Sequence, residues 1–288
     1  MPSLNRIHDC LRFKANKNYI YNKRFILFFI TIVTACQTIP TKDTRKSKTE
    51  VLNSQKTIIV EMLNKGAPGL ANKELRKLLK HNQGDADFLN LMGLTQLAMG
   101  NPTRAIHFFQ KAIRIDPKIS TQLNLSSAWI EAGKTQKAIK KLKDIQKMNS
   151  FHSYPHHERV YHNLAFCYER NGKYKAAERQ YKRALLENPN NYISMMRLGQ
   201  VYETMKKNHL ARKKFNQARN ACSICFDPVN ALTQNYLRHG KKRKAINFLR
   251  KYLKIKQINQ EDKIRAKRLL RTAMRKGSAN RRQKNNSF

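Results

Sequence analysis

The sequence predicts an all-α superhelix of stacked helix pairs. Three observations carry that prediction. Ala71, Ala105, Ala138, Ala177, Ala211 and Ala245 recur at steps of 34, 33, 39, 34 and 34 residues. Bulky and small residues keep fixed offsets around each of these alanines. Within each period, a short turn, most often with a glycine, divides two segments whose apolar residues are spaced three and four apart, the spacing of a helix face.

Taken in order, the first unit is degenerate and carries Ile58, Ile59, Met62, Gly66, Ala71 and Leu75. The clearest unit starts at Ala86, with Gly93, Ala105, Phe109, Ala112 and Pro117. Leu125, Ser126, Trp129, Gly133, Ala138 and Leu142 mark the next. A fourth, from Glu158, has Leu164, Ala165, Tyr168, Gly172, Ala177, Tyr181 and Ala184. The fifth, from Tyr192, has Leu198, Gly199, Tyr202, Ala211, Phe215 and Ala218, and the sixth has Leu232, Tyr236, Gly240, Ala245 and Leu249. These patterns resemble the tetratricopeptide repeat, a 34-residue helix–turn–helix unit. About six repeats therefore fill residues 52–276. Gln260 to Arg275, with Ile264, Leu269, Leu270 and Met274 in a polar background, is the capping helix that a solenoid needs. Small residues such as Gly93, Ala105, Gly199 and Ala211 belong where paired helices approach closest, and no pair buries its apolar face without its neighbours. The single 39-residue step comes from "MNSFHSYPHHER", which lengthens the loop before the fourth unit.

The ends read differently. Phe25 to Ala35 is an uncharged apolar run behind a leader carrying Arg6, Arg12, Lys14, Lys17, Lys23 and Arg24. The run is about half the ~20 residues needed to span a bilayer, and it has the order of a secretion signal over residues 1–35. Val33-Thr34-Ala35-Cys36 resembles the lipobox of bacterial lipoproteins. That resemblance implies cleavage before Cys36, diacylglycerol on its sulfur and acylation of the new amine. Gln37 follows, with no Asp to suggest retention at the inner membrane. Residues 36–51 read as a polar tether. Residues 277–288, almost without apolar side chains, read as a basic disordered tail.

The 59 Lys and Arg against 18 Asp and Glu give a net charge of +41. Such an excess draws polyanions. Export favours anionic lipid over nucleic acid, and the aromatics interleaved with basic residues already fit the repeat register. A basic cytoplasmic nucleic-acid-binding repeat protein is the alternative of a different class.

The first helices of tetratricopeptide pairs line a concave groove. By register that groove includes Asn90, Leu94, Leu97, Leu123, Ile130, His162, Phe166, Met196, Gln200, Asn230 and Gln234. Apolar side chains supply burial there, and amides pair with the backbone of an extended or helical peptide. Cys222-Ser-Ile-Cys225 is a redox pair, half a zinc site or a disulfide, and export favours the disulfide. Zinc wants four ligands, and no second CxxC exists. Cys167, between Phe166 and Tyr168, reads as a packing residue, and His152, His156 and His157 as a solvated loop. No phosphate loop, nucleophile–base arrangement or carboxylate pair stands out, so neither an enzyme nor a cofactor or metal site is expected.

A lipobox, six such repeats and a lengthened loop before the fourth resemble the type IV pilus biogenesis lipoproteins, the pilotins of the outer-membrane secretin. "MNSFHSYPHHERVYHNLAFCYERNGKYKAAERQYKRALLENPNN", "ARKKFNQAR" and "KAINFLRKYL" are the segments most similar to that family. The resemblance implies an outer-membrane lipoprotein facing the periplasm, anchored at Cys36, that binds secretin subunits and promotes their localisation and assembly. A tetratricopeptide lipoprotein of another envelope assembly or secretion system is the alternative within the same class.

Overall fold

The computed structural model describes residues 48–79 and 84–275. The signal segment, Cys36, most of the tether and the basic tail lie outside these residues. Thirteen α-helices form among them, and no strands. They are α1 (Lys48–Asn64), α2 (Pro68–Leu79), α3 (Ala86–Ala98), α4 (Pro102–Ile115), α5 (Ile119–Glu131), α6 (Thr135–Gln146), α7 (His157–Arg170), α8 (Tyr174–Glu187), α9 (Tyr192–Thr204), α10 (Asn208–Ala221), α11 (Phe226–Arg238), α12 (Lys242–Leu253) and α13 (Gln260–Arg275). The first twelve make six consecutive pairs and α13 caps the stack, as the alanine ladder predicts. Helix α1 begins inside the span read as tether. Glu50 in its first turn suits the positive end of the helix dipole.

Three of the pairs close on a contact between a small residue and an aromatic ring. A methyl group on Gly199 would meet the Phe215 ring at 2.6 Å, and Gly93 faces Phe109 in the same way. The same 16-residue offset joins Ala165 to Tyr181, all of them buried. Close approach at these points lets the aromatic rings fill the space between helices at the density of a protein interior.

The odd-numbered helices α3 to α11 pack against their own partner and against both adjacent pairs. This sandwiched position explains why α5 buries Thr121, Gln122, Asn124 and Ser126 beside its apolar residues. Ser126 satisfies its hydroxyl on the carbonyl of Gln122 at 3.0 Å. The even-numbered helices bury one stripe and leave a cationic face outward.

Asp85 starts α3 by accepting from the Phe88 amide at 2.9 Å, and Lys56 of α1 anchors the same carboxylate at 2.6 Å. Asn191 caps α9 on the Ser194 amide in the same manner. The lengthened loop before α7 is folded. Asn149–Phe151 form a turn of 3₁₀ helix, and Phe151 is buried in the core that also holds Leu123 and Val160. His157 bonds the Phe151 carbonyl at 2.6 Å, while His152 and His156 are exposed.

Candidate binding face along the inner helices

Helices α3, α5, α7, α9 and α11 lie side by side in the same direction. Arg170, at the end of α7, donates to the Ile130 carbonyl at the end of α5 over 2.8 Å. Arg238, at the end of α11, donates to Glu203 at the end of α9 over 3.2 Å. Polar links one repeat apart run along the face between these ends. Asn124 donates to Asn90 at 2.9 Å, Asn163 to Ser127 at 3.0 Å, and Asn235 to Glu203 at 2.6 Å.

The face changes character along its length. Leu94 and Leu97 border a recess of about 540 Å³ that Ala98, Pro102, Ser127 and Glu131 complete. Further along, the half-buried Phe166 ring lies between two guanidinium groups, Arg197 at 4.5 Å and Arg170 at 6.0 Å from its centroid. Arg197 also lies 3.6 Å from Glu169, which accepts from the buried Tyr181 hydroxyl at 2.6 Å, and it reaches Gln200 at 3.4 Å. A ring under a partly exposed guanidinium, next to a carboxylate, can hold an aromatic or acidic side chain of a peptide together with its backbone amides.

Two of the eleven register-based groove residues belong elsewhere. Leu123 is 0% exposed and Ile130 is 2% exposed, both inside the core between α5, α6 and α7. The reason is the lengthened loop, whose Phe151 packs into that same core. His162 is committed to internal contacts. Its Nδ1 lies 2.8 Å from the Ser194 hydroxyl and its ring stands edge-on to Tyr181 at 5.4 Å. Burial, with the nearby Arg197 charge, lowers its pKa to about 4, so the ring stays neutral. Asn90, Leu94, Leu97, Phe166, Met196, Gln200, Asn230 and Gln234 are half-buried on the inner helices. Asn90 spends its carbonyl on Asn124, and Met196 packs on the core below it.

Charged groups are what register alone missed. Arg170, Arg197 and Arg238 dominate the far half of the face, with Glu169 and Glu203 as their partners. Their signal in the sequence was a carboxylate one repeat apart at 169 and 203.

Cys222 and Cys225 form a disulfide across the turn between α10 and α11. Cys167 is buried, and burial pushes its thiol up to about 12. Among the described residues no group of His, Cys, Asp and Glu could hold a metal ion, and no helix is long and apolar enough to cross a membrane. Two further recesses of about 550 and 540 Å³ adjoin on the outer side between α2 and α4, where Leu79, His107 and Phe108 line both.

Six helix pairs, a cap and a continuous inner face define a tetratricopeptide-repeat superhelix, a fold built for protein–protein contact. Comparisons with known proteins agree. Tetratricopeptide repeat families match residues 86–119 and 130–199. The structure of PilW, described as a widely conserved type IV pilus biogenesis factor, superposes with a TM-score of 0.62 at 14% identity, over 78% of this chain and 99% of that one. PilF of Pseudomonas aeruginosa gives 0.57 at 15% identity, over 76% and 98%. Human IFIT1, solved with a capped RNA, gives 0.54 at 17% identity, over 66% and 47%. At these identities the likeness is one of fold. Cellulose synthase 1 operon protein C of Komagataeibacter xylinus is 28% identical over 149 residues, and the chain spans 11% of its length.

Proposed function

We propose that this protein is a lipid-anchored scaffold that binds secretin subunits at the outer membrane and promotes their assembly for type IV pilus biogenesis. Cys36 carries the lipid, and the inner face of the superhelix carries an extended segment of the secretin. The observation behind the reading is the Phe166 ring between Arg170 and Arg197, next to an apolar recess on the same face. The reading also draws support from the near-complete overlap with PilW and PilF and from the lipobox-like Val33–Cys36. The superhelix supplies no chemistry of its own in this scheme and works by positioning a partner.

Deleting the gene tests the proposal. Loss of heat-stable secretin multimers and of twitching supports it, and intact multimers exclude it. Metabolic labelling with an acyl probe tests the anchor: wild type labels, and Cys36→Ala does not. A second reading comes from the relative encoded in a cellulose synthase operon, which favours a scaffold for another envelope assembly. Normal secretin multimers in the deletion strain, with a defect in exported polysaccharide, would support that reading instead.

A further inference from the structure

Five of the six turns that join the two helices of a pair place a glycine at positive φ: Gly66, Gly100, Gly133, Gly172 and Gly240. The sixth places Lys206 there, at φ 59°. Its turn has the same hydrogen bonds as the others. Lys206 N donates to the Glu203 carbonyl and Lys207 N to the Tyr202 carbonyl, as Gly133 N does to Ile130 and Lys134 N to Trp129. The backbone therefore gains nothing from the exchange. A side chain at this position strains the chain, where glycine would be free of strain. An observed strained residue calls for a reason outside the backbone.

Its surroundings supply one. The six turns share one edge of the superhelix, because the inner helices end side by side there. Lys134, Lys173 and Lys241 stand at the equivalent turns that open α6, α8 and α12. None of Lys134, Lys173, Lys206 and Lys241 has a carboxylate within ion-pair range among the described residues. Met99 and Leu210 are exposed along the same edge. So is Met274, which is fixed there because the Lys242 ammonium donates to its carbonyl at 2.9 Å.

We infer that this edge docks on an anionic phospholipid surface. The inference rests on the lipid-anchored reading above and names the part of the molecule that would face the bilayer. Lysines in a row meet the headgroup phosphates, and the flexible aliphatic side chains between them enter the interface. Single-stranded nucleic acid would need rings on which bases stack. The exposed large apolar residues among those described are all aliphatic.

The test measures the affinity of the purified full-length protein for phosphatidylcholine vesicles and for vesicles that also contain phosphatidylglycerol. Binding to neutral vesicles reports the acyl anchor, so its loss in Cys36→Ala speaks to the anchored reading alone. The gain on adding phosphatidylglycerol reports the edge. Replacing Lys134, Lys173, Lys206 and Lys241 by Gln should reduce that gain by several hundredfold, roughly fivefold for each lysine. Replacing Lys111, Lys140, Lys213 and Lys251 on the outer faces should reduce it less than about threefold. Lys206→Gly should weaken the gain about fivefold while raising Tm by about 2–4 °C. Equal losses from the two lysine sets would overturn the inference, as would a Lys206→Gly variant that binds as wild type. Displacement from the anionic vesicles by a short RNA, with the same dependence on the four edge lysines, would overturn it too.

Discussion

The two halves of the inner face are built on one repeated backbone and offer different chemistry. Between α3 and α5 the face is an apolar recess bordered by Leu94 and Leu97, and the helices are tied by neutral amides, Asn124 to Asn90. From α7 to α11 it carries Phe166 between guanidinium groups, and the ties are charged: Arg197 with Glu169, and Arg238 with Glu203. The difference teaches that the repeat fixes the helices while single positions remain free to vary. Residues 94, 127, 166, 200 and 234 share one place in the repeat and read Leu, Ser, Phe, Gln and Gln. A partner segment lying along the face would meet burial first and charge afterwards.

The strongest way to break the comparison is to ask whether both halves obey one packing rule. Gly93→Leu and Gly199→Leu each force a side chain into the ring of Phe109 or Phe215. Each should cost about 3 kcal/mol in chemical denaturation. A silent change at either site would mean that the two halves are packed differently. Acid should then separate them. His162 titrates near 6.5 unfolded and at about 4 in the fold, so the unfolded chain binds more protons between those values. Stability is complete above about pH 6.5 and falls by roughly 2–3 kcal/mol on the way down to about pH 4. Thermal melts of His162→Gln should lack that slope. Its persistence would place the titration elsewhere.

A smaller effect belongs to the disulfide. Cys222 and Cys225 close a loop of only four residues, so Cys222→Ser with Cys225→Ser should lower stability by at most about 2 kcal/mol. The loss should appear as faster hydrogen exchange in α11 and leave α3 to α5 unchanged. The smallest effect is expected at the amide tie. Asn124→Ala removes a half-buried hydrogen bond and should cost about 1 kcal/mol.

Much of this architecture was legible in the sequence. The alanine ladder placed all six pairs, because the residue at closest helix approach must be small whatever surrounds it. Gln260–Arg275 was readable as a cap, because its sparse apolar stripe has only one helix pair, α11 and α12, to cover. The inner face was less legible. Register assigns which residues share a row but not how much of the row a neighbour covers. Leu123 and Ile130 stand in the rows of Asn90 and Leu97, yet the long loop inserts Phe151 and the core closes over them. His162 is in the right row too, but Ser194 one repeat later engages its ring. The arginine–carboxylate ties were only half legible, for the opposite reason: Glu169 and Glu203 recur one repeat apart, but their arginines do not. Long arginine side chains reach across rows, so no fixed spacing announces which arginine meets each carboxylate.

The central claim is that a partner segment lies along the inner face. Site-specific photo-crosslinking in cells tests it most directly, with a photoreactive residue at Leu97 or Phe166 on that face, or at Lys140 or Lys213 on the outer helices. The account predicts crosslinks to secretin subunits from positions 97 and 166 and none from 140 and 213. Crosslinks from the outer positions alone would contradict it.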